Sequence, residues 1–194
     1  MTRAALTLAL FAAVLTAVPS AEEPTFAGFV DDYYAKLFRW DPTQATYAGI
    51  HDFDDRLPDL GEKAIAARIE SLRESQKSLA TLRAKKLPEA DAIDAEVLDS
   101  AIRAELHELE VVKDWQRNPV LYLGKPAEAI DLLMKRNYAA PAVRLRAVVS
   151  RVKAAPALVA AAKANVKNPP KEFADLGLIV AKGSIGFFKN DLPA

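Results

Sequence analysis

Apolar residues recur along this chain at three- and four-residue intervals, the spacing of one face of a helix. Phe26, Phe29, Val30, Tyr33, Tyr34, Leu37 and Phe38 predict a first amphipathic helix. Asp41-Pro42-Thr43-Gln44 reads as a second helix start, with an acceptor at the N-cap, proline at the first helical position and a glutamine able to reach back. Gly49 offers its stop, and His51-Asp52-Phe53-Asp54-Asp55-Arg56 forms a polar connector before Pro58. Ile65, Ile69, Leu72, Leu79 and Leu82 mark a third helix, from about Glu62 to Lys85. Pro88 opens a fourth, with the stripe Leu98, Ile102, Leu106, Leu109 and Val112, closed by Asn118-Pro119.

Beyond this point prolines punctuate the pattern. Val120 to Gly124 reads as a short irregular piece, and Pro126 leads a helix through Leu132, Leu133 and Met134. Pro141 starts a sixth helix with Leu145, Val148, Val149 and Val152 on one face, which Pro156 is expected to kink or restart. After Asn168-Pro169-Pro170, a last segment places Phe173, Leu176, Val180 and Phe187 on one side. No alternating strand pattern and no fixed-length repeat appear. The expected fold class is all-α, a multi-helix array or bundle.

Residues 1–21 are expected to stand apart. Met1-Thr2-Arg3 is a short basic start, Ala4 to Val18 is apolar except for Thr7 and Thr16, and Pro19-Ser20-Ala21 supplies small residues. This is the pattern of a secretory signal peptide cleaved near Ser20 or Ala21. The alternative, a membrane anchor, is disfavoured because the run falls short of the ~20 residues that span a bilayer comfortably. The expected location is periplasmic or secreted. The chain has no cysteine, which removes disulfides, thiolate metal sites, cysteine nucleophiles and a lipid-modified cysteine at the cleavage site.

The 194 residues suffice for one domain burying roughly 70% of its unfolded surface. Basic and acidic residues balance at 26 each, so no net field draws nucleic acid. The charges are segregated, however. Nine acids and two bases lie between Glu89 and Asp114, and nine bases and no acid between Lys135 and Lys171. Two solvated helix faces, lying side by side so that their fields compensate, are the simpler reading. A basic patch for an anionic ligand is the other.

Candidate chemistry is sparse. The two histidines are His51 and His107. His107-Glu108 begins like a zinc-protease helix, but Val111 stands where the second imidazole is needed, so His107 is expected to be a plain interfacial residue. The Glu-x-x-His pairs of a di-iron bundle are absent, since Ala48 and Ala104 stand three residues before the histidines. Gly183-Ser184-Ile185-Gly186 lacks the first glycine of a nucleophile elbow, because position 182 is lysine, and is expected to serve close helix packing. That leaves the connector. His51, Asp52, Asp54 and Asp55 could hold a divalent ion or line a substrate entrance, or the aspartates could simply accept backbone N–H bonds in a turn. No catalytic, cofactor-binding or metal residue is assigned beyond these four candidates.

Several short pieces, in order, carry a resemblance: Asp41-Pro42-Thr43-x-Ala45-Thr46, Gly49-Ile50-His51-Asp52, Arg56-Leu57-Pro58, Asn118-Pro119-x-x-Tyr122, Arg144-Leu145-Arg146, Arg151-Val152-x-x-x-Pro156 and Ala181-Lys182-Gly183. Together they resemble the N-terminal region of the bacterial domain of unknown function 885. The resemblance implies an exported, zinc metallopeptidase-like protein with a mostly helical shell. It places the metal motif, of the His-Glu-x-x-Pro-Gly-His-His type, far downstream of any residue present here. By the same resemblance zinc is expected only in a full-length member, with a peptide as its substrate. Residues 22–194 are then read as a truncated N-terminal region, inactive alone, whose partner is the missing C-terminal portion or a second copy. A self-contained periplasmic binding or interaction module is the alternative.

Overall fold

The computed structural model describes residues 25–192, and the signal-peptide reading lies outside them. Among these residues the structure is helical and contains no strand, as the periodicity predicts. Thr25 caps α1 (Phe26–Trp40) by accepting from the Gly28 N–H. Asp41 caps α2 (Pro42–Ala48) with Oδ1, which accepts from the N–H groups of Thr43 (2.9 Å) and Gln44 (3.2 Å). Gly49 ends α2 at φ +83°, a left-handed conformation that favours glycine.

Helices α3 (Glu62–Ala84) and α4 (Glu89–His107) form a hairpin on which α1 packs. Their core is apolar: Phe26, Phe29, Tyr33, Leu72, Leu79, Leu82, Ala95, Leu98, Ile102 and Leu106. A π-helical turn, Glu108–Val112, continues α4 and keeps Leu109 against this core, before Lys113 turns the chain at φ +54°.

The second half comprises α5 (Val120–Leu123), α6 (Lys125–Lys135), α7 (Pro141–Asn165) and α8 (Lys171–Gly186). Residues 120–124 therefore differ from the irregular piece expected. The Asn118 side chain accepts from the Val120 N–H, which starts a helical turn beneath α8. Helix α7 also runs through Pro156 without restarting. Its close packing on α6 and α5 holds the helix where the proline removes one backbone bond.

The buried residues of α7 are Ala147, Val148, Arg151, Leu158, Ala162 and Asn165; of the predicted stripe Val148 is among them and Val152 packs at their edge, while Leu145 and Val149 are exposed. Small alanines let α6 approach this side, so an alanine–arginine face is the inner one. In α8, likewise, Leu176 is exposed and the buried residue is Gly177, on which any Cβ would stand 2.8 Å from Pro119 Cγ. A Cβ at Gly183 or Gly186 would meet nothing within 4 Å, so those glycines do not serve close packing. Phe173, Val180 and Phe187 are half-buried.

The charge segregation also resolves differently from a pairing of the acidic and basic runs. The acids of α4 and its π-turn meet the arginines of α3: Arg68 with Glu105 through two bonds of 2.8 and 2.7 Å, Arg83 with Asp99, and Arg73 with Glu110. His107 is a solvent-exposed residue rather than an interfacial one.

Candidate functional site

The connector after α2 is where the structure gathers polar side chains. The cap at Gly49 directs residues 50–56 back across α2, so that Asp54 arrives buried beside Thr46. Asp54 Oδ1 accepts the Thr46 hydroxyl at 2.7 Å, and Asp54 Oδ2 lies 2.8 Å from His51 Nδ1. A carboxylate can only accept, so Nδ1 is the protonated nitrogen of His51 and Nε2 is left free of this contact. The imidazole stacks on the Tyr138 ring, 3.7 Å between centroids and 3° from parallel.

Arg151 enters this cluster from α7 and is completely buried. It donates four hydrogen bonds: Nε to the Arg56 carbonyl (2.9 Å), Nη1 to the Ala129 carbonyl (2.6 Å), and Nη2 to the Thr46 hydroxyl (2.7 Å) and the Pro42 carbonyl (3.4 Å). Asp54 Oδ1 is 3.8 Å from Nη2. One planar guanidinium thus ties α2, the connector and α6 to α7, a task suited to its fixed fork of donors. Burial lowers the Arg151 pKa from its usual value, and the Asp54 charge opposes that shift.

Two more arginines repeat the theme. Arg136 Nη1 caps the end of α2 by donating to the carbonyls of Thr46 (2.8 Å) and Tyr47 (2.9 Å). Arg144 donates to the carbonyl of Met134 in the last turn of α6 and to those of Arg136 and Ala139 beyond it. Cations are well placed at helix C-termini, where carbonyls lack partners. The basic run is therefore not a uniform solvated face, because three of its arginines serve as internal cross-links.

The Tyr138 hydroxyl is buried and makes no well-formed hydrogen bond. Burial first, and then the neighbouring Asp54, push its pKa up to about 12, against a lowering effect from Arg151 and Arg144. A smaller polar cluster fixes the far end of α7. Asn165 Nδ2 donates to the Leu60 carbonyl (2.7 Å) and to Tyr122 Oη (3.1 Å), and Tyr122 donates to the Trp115 carbonyl (2.5 Å).

Of the four candidate residues, the structure brings together His51 and Asp54. Asp52 and Asp55 are exposed, and Asp55 lies 3.5 Å from its neighbour Arg56. Zinc needs three or four nitrogen, oxygen or sulfur donors around one point. Among the described residues no three His, Cys, Asp or Glu side chains are so gathered.

Arg151, Arg136, Arg144 and Tyr138 were not among the candidates. A signal for Arg151 was nonetheless available. It falls three and four residues after Val148 and Ala147 and seven before Leu158, inside an apolar stripe where a charge must be paired.

The fold and this arginine-centred cluster define an all-helical structure stapled by a buried guanidinium. The profile of the bacterial proteins of unknown function DUF885 matches residues 42–194, and the chain belongs to that family. It is also similar to a solved structure from Shewanella oneidensis, described as a candidate lipoprotein of unknown function. The two share 27% identity at a TM-score of 0.79, over 87% of this chain and 31% of that one. The chain therefore spans about a third of that protein. No curated protein matches. Among the described residues no helix is long and apolar enough to cross a membrane.

Proposed function

We propose that this chain is the exported, non-catalytic helical N-terminal region of a zinc metallopeptidase-like protein, and that it acts as a scaffold against which further polypeptide packs. The observation that carries the reading is that four large apolar residues of α8, Leu176, Leu178, Ile179 and Ile185, are exposed. So much apolar side chain in the open on one helix marks a surface to be covered. The solved relative from Shewanella oneidensis supports the reading, since most of its length lies outside the part matched here. Export is supported by the lipoprotein description of that relative and by the apolar run of residues 4–18; with no cysteine, this chain would be released rather than acylated.

The test is solution behaviour of the purified chain. The account expects binding of a hydrophobic dye or concentration-dependent self-association, both reduced by Leu178→Glu with Ile179→Glu. It also expects no peptide hydrolysis and less than about a tenth of an equivalent of tightly held zinc. A monodisperse chain without dye-accessible apolar surface would sink it, as would about one equivalent of zinc lost on replacing His51. A self-contained interaction module is the competing reading. It expects a stable monomer.

A further inference from the structure

Helix α7 carries, beside its buried arginine face, a second stripe that is covered only at Val152, which packs with Phe187 and Phe188 on the core cluster. Leu145, Val149, Val152, Pro156 and Val159 follow one another at intervals of four, three, four and three residues. Leu145, Val149 and Val159 are exposed, and Val152 is half-buried. At 1.5 Å per residue the stripe runs about 21 Å, or four turns, the length of a short helix–helix seam. At its C-terminal end Val152, Pro156, Val159 and Lys163 face Phe188 across a groove of about 570 Å³.

The flank of this seam is basic. Arg146 and Lys153, seven residues apart on one side of the stripe, are exposed, and Lys163 stands at its end. None of the three forms an ion pair among the described residues, where the other arginines of the run donate inward. No acid lies anywhere between residues 135 and 171 to neutralise them. Two copies meeting through this stripe would set Arg146 and Lys153 against their own kind, and like charges along a helix seam repel.

We propose that the α7 stripe is the docking seam for an amphipathic helix of another polypeptide segment, one with an apolar heptad face and acidic flanking positions. The occupant lays its apolar residues on Leu145, Val149, Val152 and Val159, seats its end in the groove beside Phe188, and pairs its acids with Arg146 and Lys153. This rests on the scaffold reading and adds to it which face is used and what chemistry recognises it. Charge selects the partner and apolar burial holds it.

The probes are two helical peptides of about three heptads. Both carry leucine at the core positions; one is flanked by glutamate and its twin by lysine. Binding to the full chain is followed by fluorescence anisotropy. The glutamate peptide is expected to bind at least about tenfold more tightly than its twin, with the margin shrinking as salt rises. Arg146→Glu with Lys153→Glu, both exposed and unpaired, is expected to reverse the preference without changing the circular dichroism or melting temperature. Val149→Asn is expected to weaken both peptides.

Equal binding of the two peptides, a preference unmoved by the charge reversal, or no binding at roughly millimolar peptide would overturn the proposal. Self-association of the peptide-free chain that the same reversal abolishes would assign the surface to a second copy and overturn it as well. Failure in any of these ways, with dye binding on α8 retained, leaves the scaffold reading standing. Loss of both removes the scaffold too.

Discussion

The two halves of this molecule each bury an arginine, but on different acceptors. In α1, α3 and α4 an apolar core does the holding, with Arg68 buried at its edge on the Glu105 carboxylate and the half-exposed Arg73 and Arg83 pairing along its margin. In α2, α6 and α7 the apolar cluster is small, and a completely buried guanidinium stands at the junction, with its bonds directed to backbone carbonyls and one hydroxyl. The same residue type thus closes on one carboxylate at the edge of the first core and gathers backbone from three segments in the second. Burial decides: an exposed pair contributes up to about 1 kcal/mol, whereas removing one member of a buried network leaves its partners unsatisfied and costs several times more.

The largest effect that would break this comparison is at Arg151. Arg151→Met leaves Asp54 buried without its neighbouring cation and strips three carbonyls of a donor. It is expected to cost about 3–5 kcal/mol in urea unfolding. Arg151→Lys keeps the charge but loses the fork, and is expected to recover only part. In the other half Leu72→Ala, at a fully buried position, is expected to cost about 2–5 kcal/mol by cavity formation. The corresponding change at the margin, Arg83→Met, is expected to cost less than about 1 kcal/mol.

A pair of glycines sharpens the point within α8. Gly177→Ala pushes a Cβ to 2.8 Å from Pro119 Cγ and is expected to destabilise by about 1–3 kcal/mol. Gly183→Ala meets nothing and is expected to stabilise by about 0.5–1 kcal/mol, because alanine is the better helix former. Opposite signs from the same substitution, six residues apart, would be read directly from melting temperatures.

The smallest effect concerns Tyr138. At neutral pH, Tyr138→Phe keeps the stack on His51 and removes a hydroxyl that makes no well-formed hydrogen bond beside Asp54, so stability is expected to change by less than about 1 kcal/mol. The alkaline limb is where the two chains part. The folded pKa, about 12, lies above the ordinary value of 10.0, so the folded state holds the proton more tightly. That contribution is fully present below pH 10 and is lost as the pH rises through 10 toward 12, which means wild type loses stability over this range more steeply than the phenylalanine variant. Tyr33 and Tyr122, raised mainly by burial, keep some alkaline loss in both.

Most of the fold was legible because helix starts, stops and apolar periods are local. Asp41, Gly49, Pro88 and Pro141 each mark a boundary within a residue or two of the structure. The inner face of α7 was not legible, because Leu145 and Val149 look more like core than Ala147 and Arg151 do. Which face is buried depends on α6 and on the connector 90 residues earlier. The candidate cluster was half legible for the same reason. His51 and Asp54 are three residues apart and meet through a turn, whereas Arg151 and Tyr138 reach them from α7 and from the loop before it.

Hydrogen exchange of wild type against Arg151→Met, resolved by segment under native conditions, tests the role of the buried arginine most directly. The account predicts that protection falls in α2, the connector, α6 and α7, while α3 and α4 keep theirs. Uniform loss across both halves, or protection of α6 and α7 unchanged from wild type, would contradict it.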